Sequence, residues 1–120
     1  MAAVEAHDRQ AWLALFADDA VVEDPIGPSV FDPEGKGHRG TEAIAAFYDN
    51  VIGANESIRF DIRQSFLCGD EVANVGVIRI SFAGGSTVEV DGVYTYRLSP
   101  DGKIAALRAF WQADGIRPVA

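Results

Sequence analysis

Glu23-Asp24-Pro25, two carboxylates ahead of a proline, is the stretch of this chain best suited to acid–base chemistry. Successive residues of a strand point to opposite faces, so only one of the two carboxylates can face an interior. Asp24 shares a face with Val22, and Glu23 shares one with Val21. Pro25 biases Asp24 towards extended geometry, at the mouth of a stretch rich in glycine and proline where a small molecule can approach. A carboxylate against an apolar wall has its charged form disfavoured and gains basicity, as a general base requires. The same spacing suits an exposed aspartate that merely starts a loop, and spacing alone leaves the two readings equal.

Elsewhere the chemistry-bearing residues read more plainly. No GxGxxG, GxxxxGK, GxSxG or HExxH motif is present. His7 and His38 stand far apart in sequence, without HxH or HxxxH spacing, and read as exposed or loop histidines rather than metal ligands. No metal or cofactor is expected. Cys68 is the only cysteine, which excludes an intramolecular disulfide, and it reads as a small core residue rather than a nucleophile. Asp18-Asp19 reads as a solvated turn pair between a helix and a strand.

Asp24 needs elements to hold it. Asp8 is placed to cap a short helix with Trp12, Leu13, Leu15 and Phe16 as its apolar residues, after the tail of an earlier helix over Ala2–Ala6. Ala20–Asp24 reads as a short strand, and residues 25–40 as a long loop of the kind that often carries function. Thr41 is the expected N-cap of the clearest helix, where Ile44, Phe47, Tyr48, Val51 and Ile52 fall on one face and Gly53 on the C-terminal side. From there the period drops to 2. Ile58, Phe60 and Ile62 alternate with charged residues, Gly69-Asp70 turns into Val72–Ala83, and Gly84-Gly85 signals a tight hairpin. Val88, Val90, Tyr94, Tyr96 and Leu98 share one face of the next strand, and a last strand runs over Ile104–Trp111. Helices first and strands after imply an α+β fold, with helices covering one face of a curved antiparallel sheet.

At 120 residues and 48% hydrophobic, the chain reads as one domain over 1–120 with room for one core and one pocket. The net charge of −8 leaves no basic stripe for nucleic acid or an anionic membrane surface. No apolar run reaches the roughly 18 residues that span a bilayer, and the N-terminus lacks the marks of a signal peptide. A soluble, cytoplasmic protein is expected.

FADDAVVEDPIG, then HRGTEAIAAFYDN and the closing GKIAALRAFW, resembles ketosteroid isomerase and its relatives in the nuclear-transport-factor-2-like superfamily. AHDR and WLALFADD bring it nearest to actinobacterial ketosteroid-isomerase-like, steroid-binding proteins. The resemblance runs from about Asp8 to Trp111. It implies a cone of three N-terminal helices and a strongly curved sheet around a deep apolar pocket. Carried onto this chain, Asp24 falls on the general base that moves a proton from C4 to C6 of a 3-oxo-Δ5-steroid. Tyr48 falls on a tyrosine supporting the oxyanion site, and Trp111 on a pocket aromatic near the base. The tyrosine that donates the main oxyanion hydrogen bond would precede Met1 and is missing, Tyr94 stands where the family has a protonated aspartate, and Phe16 replaces a further tyrosine. Losing one oxyanion donor typically costs about 10²–10³ in kcat, so a weak isomerase is implied.

The expected site is therefore Asp24, Tyr94 and Tyr48 for chemistry, with Phe16, Val22, Phe47, Val77, Val90, Leu107 and Trp111 around the ligand. A steroid or similar fused-ring ketone is the expected partner. A non-catalytic steroid or polyketide binder and a polyketide-cyclase-like acid–base enzyme stay open beside the isomerase. An epoxide hydrolase ranks lowest, for want of an Asp-Arg-Asp arrangement. Val75 and Val77 alternate with Ile78, Ile80 and Phe82, so both sheet faces carry apolar residues and a homodimer through the outer face is expected.

Overall fold

Residues 2–119 are described by a computed structural model, and in it the alternating stretches become one seven-stranded sheet. In chain order the elements are α1 (Ala2–Glu5), α2 (Arg9–Ala14), β1 (Phe16–Glu23), β2 (His38–Arg39) and α3 (Gly40–Phe47). A π-helical turn (Tyr48–Ile52) extends α3. Then come β3 (Ser57–Cys68), β4 (Glu71–Ser81), β5 (Thr87–Leu98), β6 (Ile104–Phe110), a 3₁₀ turn (Ala113–Gly115) and β7 (Arg117–Pro118). The sheet order is β2-β1-β6-β5-β4-β3, with β7 on the free stretch of β5. The α+β class and the strongly curved sheet are as expected. The sheet is not purely antiparallel, because β1 pairs in parallel with β6. Parallel partners need a long crossover, and everything from β2 to β5 lies between them.

Several local expectations are corrected. Asp8 does cap α2, its side chain accepting from the Ala11 N–H at 3.1 Å. The helix stops at Ala14, however, and Phe16 opens β1 by pairing with Ile104. Two contacts at the start of β6 enforce that early switch: Ile104 N–H reaches Leu15 O at 2.8 Å, and Lys103 Nζ, just before the strand, reaches Ala14 O at 2.7 Å, a cation at a helix C-terminus. Asp18 and Asp19 thus lie within β1, exposed, where its register against β6 is irregular.

Thr41 is not the N-cap of α3. Gly40, at φ +84°, turns the chain directly out of β2 into the helix, and Arg39 holds the cap position without a side-chain bond. Gly53 ends the helical run in right-handed geometry, its N–H closing on Tyr48 O at 2.7 Å. Cys68 is exposed rather than core, because it closes β3 at the Gly69-Asp70 turn, away from the helical layer.

The concave face of the sheet is covered by α3 and the short N-terminal helices. Trp12, Ile44 and Val22 are the largest fully buried side chains, one from each of α2, α3 and β1. Glu5 ties α1 to the sheet by accepting from the Phe60 N–H at 3.0 Å, and Arg9 ties α2 to the π turn through Asp49 at 2.8 Å. No helix of the described residues is long and apolar enough to cross a membrane. Since Ile44 joins α3 to β1 with no exposed surface, Ile44→Ala is expected to cost about 2–5 kcal/mol. Urea unfolding will show this as a lower midpoint at an unchanged slope.

Candidate functional site

Between the helical layer and the sheet lies a cavity of about 410 Å³. Strand alternation builds its sheet wall: Ile78 and Ile80 of β4, then Val90, Tyr94 and Tyr96 of β5, all point inward. Trp12 and Phe47 close it from the helices. The wall is apolar save for Asp24, two tyrosines, Asn55 and the indoles of Trp12 and Trp111. Few convergent polar groups on an apolar surface are the usual make-up of a small-molecule site.

Asp24 follows β1 directly, and the backbone on both sides of it is pinned to β6. Glu23 pairs with Arg108, and Ile26 N–H donates to Ala109 O at 3.0 Å. Trp111, two residues past Ala109, then donates its indole N–H to Asp24 Oδ1 at 2.6 Å. The Asp24–Pro25 peptide is cis. Burial raises the carboxyl pKa above its ordinary value; the Trp111 bond and the nearby His38 pull it back, with burial prevailing. His38 is neither exposed nor in a loop. It pairs with Val22 from β2, and its ring packs on Phe47 at 4.8 Å between centroids.

Tyr94 presents a buried hydroxyl with no partner among the described residues. Burial first, and the Asp24 charge second, push its pKa well above the ordinary tyrosine range, so it remains a neutral O–H donor. Gly92 makes room for it. A Cβ there would lie 2.8 Å from Tyr94 Oη and 2.8 Å from Phe110 O, so any side chain would displace one or the other. Tyr96, on the same face, has its pKa pushed up to about 12 by burial and by Asp24.

Of the residues expected from sequence, Asp24, Tyr94, Phe47, Val90, Leu107 and Trp111 meet on the cavity wall. Tyr48, Phe16, Val22 and Val77 stand off it. Tyr48 is buried in the helical layer and senses Asp8, Arg9 and Asp49 rather than Asp24. Phe16 is spent on an edge-to-face contact with Trp12, at 4.6 Å between centroids. Val22 is packed solid in the core, and Val77 has the opposite parity to Ile78 and so points to the outer face. Tyr96, Ile78 and Ile80 were within reach of the same alternation that found Val90 and Tyr94. Phe31 and Ile116 carry no sequence signal, because loop and tail segments bring them to the wall.

The raised pKa of Asp24 makes a signed prediction. Between about 3.9, the ordinary aspartate value, and the folded value, the folded state binds more protons than the unfolded one. Stability contributed by the protonated carboxyl is thus lost as pH rises through that window. Asp24→Asn keeps an oxygen for Trp111 and carries no charge. It is expected to melt above the wild type at neutral pH, with the gap closing as the pH falls towards that ordinary value. Thermal unfolding across a pH series measures it.

Residues 1–112 match the model of the SnoaL-like domain. A steroid Delta-isomerase of Nocardioides simplex is 31% identical over 98 residues, covering 82% of this chain and 72% of the relative. The crystal structure of RV0760c from Mycobacterium tuberculosis in complex with estradiol-17beta-hemisuccinate superposes with a TM-score of 0.90 at 45% identity, over 97% of this chain and 90% of that one. The Delta 5-3-ketosteroid isomerase from a Mycobacterium species superposes with a TM-score of 0.92 at 42% identity, over 98% and 91% of the two chains. The chain belongs to the SnoaL-like, nuclear-transport-factor-2-like family, among its ketosteroid-isomerase-like members.

Proposed function

We propose that this protein binds a steroid or similar fused-ring ketone in the cavity and shifts its double bond, weakly, with Asp24 as the proton shuttle. One observation carries the reading: a carboxylate made basic by burial shares an apolar wall with a buried, unpartnered tyrosine hydroxyl. The relatives named for steroid isomerisation and the mycobacterial steroid complex support the ligand class.

The steps follow from those two groups. The Asp24 carboxylate takes the C4 proton of a 3-oxo-Δ5-steroid, and the electron pair moves onto the C3 oxygen as a dienolate. Tyr94 donates its O–H to that oxygen as charge develops there. The protonated Asp24 returns the proton to C6, and the double bond comes to rest in conjugation with the carbonyl. Trp111 holds Oδ1 throughout and leaves Oδ2 to carry the proton. A neutral tyrosine hydroxyl standing where the family has a protonated aspartate is the reason turnover is weak.

A non-catalytic binder is the second reading, favoured by the same scarcity of donors. Conversion of 5-androstene-3,17-dione, followed by the ultraviolet absorbance of the conjugated enone, separates the two. Asp24→Asn is expected to lower kcat by about 10²–10⁴ with steroid affinity largely kept. Tyr94→Phe is expected to weaken ketosteroid binding by about 0.5–1.5 kcal/mol. Turnover that survives in Asp24→Asn removes Asp24 as the base. Saturable binding without turnover in the wild type establishes the binder.

A homodimer through the outer face of the sheet belongs to the same proposal. Val75, Val93 and Phe110 lie in one paired row across β4, β5 and β6, and Phe66 of β3 adds to that face. Phe110 and Phe66 are 45% and 54% exposed, a large apolar area to leave in water. Sedimentation equilibrium at micromolar concentration is expected to give twice 12.9 kDa, and a clean monomer overturns it.

A further inference from the structure

We infer that Asn55 is the hydrogen-bond acceptor for a hydroxyl carried by the end of the ligand remote from Asp24. The inference rests on the ligand class proposed above and names a second polar group that this ligand carries. The two residues reach the cavity from opposite sides of its sheet wall. Asp24 stands where β1 meets β6, and its partner Trp111 comes directly after Phe110, which is paired with Val93. Asn55 stands ahead of β3, where the Glu56 N–H donates to Ser81 O at 2.9 Å and Ser81 pairs with Thr87. Asn55 thus lies nearer the start of β5 than Asp24 does, with β6, β5 and β4 between their strands. A long, flat ligand that sets its ketone against Asp24 and Tyr94 carries its other end towards Asn55.

The Asn55 side chain is held ready for this contact. Its Nδ2 donates to Val51 O at 2.8 Å, a carbonyl left over at the end of the helical run. Because that partner is an acceptor, it fixes which amide atom is the nitrogen and turns Oδ1 away from the helix end. Oδ1 takes no hydrogen bond among the described residues, yet it is not among the side-chain atoms sealed from solvent. A cap on Val51 needs only the N–H and leaves that oxygen without a use. Asn55 and Val51 both line the cavity, at the place where it opens. Phe31, Phe82 and Ile116 line it too while 44%, 39% and 40% exposed, which marks the rim where its wall meets water. Phe82 follows Ser81, the residue bonded to Glu56, so the rim runs beside Asn55. An amide oxygen accepts only, so the group it reads is a donor, and a hydroxyl is the neutral donor that a fused-ring ketone can carry.

The test titrates two steroids that differ only at the far end, testosterone with its 17β-hydroxyl and 4-androsten-3-one without it. In both the double bond is already conjugated with the ketone, so calorimetry reads binding without turnover. The quantity compared between wild type and Asn55→Ala is the ratio of the two affinities, in which a general loosening of the helix end cancels. The preference for testosterone is expected to fall roughly 2- to 10-fold in the variant, the worth of one neutral hydrogen bond. Asn55→Leu, which keeps the bulk of the side chain, serves as a second variant should the first fold poorly, and melting temperatures establish that each is folded. An unchanged ratio in a folded variant that binds both steroids overturns the assignment and leaves Asn55 as a helix cap, with the steroid reading intact. A wild type that binds neither steroid overturns the steroid reading itself, and the assignment falls with it.

Discussion

A carboxylate placed against an apolar cavity, with a single indole N–H to hold it, is the constraint around which this molecule is arranged. Desolvation disfavours the charged form of Asp24, and the Trp111 hydrogen bond compensates only part of that penalty. The imbalance is what makes the group basic. A second strong donor on Asp24 would stabilise its anion and remove the basicity that a proton shuttle needs. The low polarity of the wall also strengthens whatever bond Tyr94 makes to a ligand oxygen, since fewer competing dipoles screen it. Base and donor therefore draw on the same dry surroundings.

Such a group must be held from outside the cavity, and the parallel pairing of β1 with β6 does this. Glu23 is in register with Arg108, Ile26 is bonded to Ala109, and Trp111 follows directly on the end of the strand. Strand β6 and the residue after it thus fix the backbone before Asp24, the backbone after it and the side chain that binds it. The Glu23–Arg108 ion pair, 3.3 Å apart with its arginine open to solvent, adds to the register more than to stability. A long loop can follow Asp24 without loosening it, because the anchoring is complete by Ile26. Gly92 extends the economy to β5, leaving the space that the Tyr94 hydroxyl occupies.

Legibility in the sequence followed the strength of the local signal. Period-2 alternation over β5 is long and sharp, so the inward parity of Val90 and Tyr94 could be read without structure. Asp24 was legible as a candidate for the same reason, although its burial depends on the cavity and not on its neighbours in sequence. The β1–β6 pairing left no trace, because parallel partners so far apart share no turn. Phe16 was misplaced in a helix because its apolar spacing suits α2, whereas pairing with Ile104 decides the matter. Val77 was placed in the pocket against its own parity. Tyr48 holds a family position, yet it is buried in the helical layer and not on the cavity wall, which no periodicity in the sequence distinguishes. Cys68 fails differently, since a small apolar residue at the end of a strand carries no mark of whether helices reach over it.

The cavity sets function against stability within one core. A packed interior would fill the space between Trp12 and Tyr94 and gain dispersion contacts across it. Here that volume is a cavity, and the Tyr94 hydroxyl of a lining residue is buried without a partner among the described residues. A buried donor that finds no partner typically costs about 1–3 kcal/mol, so a cavity wall of this kind works against the stability that the surrounding core supplies. A ligand that fills the volume and offers an oxygen to Tyr94 would offset part of that cost. Binding then stabilises the folded chain by an amount that grows with ligand concentration over Kd. On the proposed reading, an oxygen-bearing apolar ligand would be favoured because it offers an acceptor where the protein supplies none.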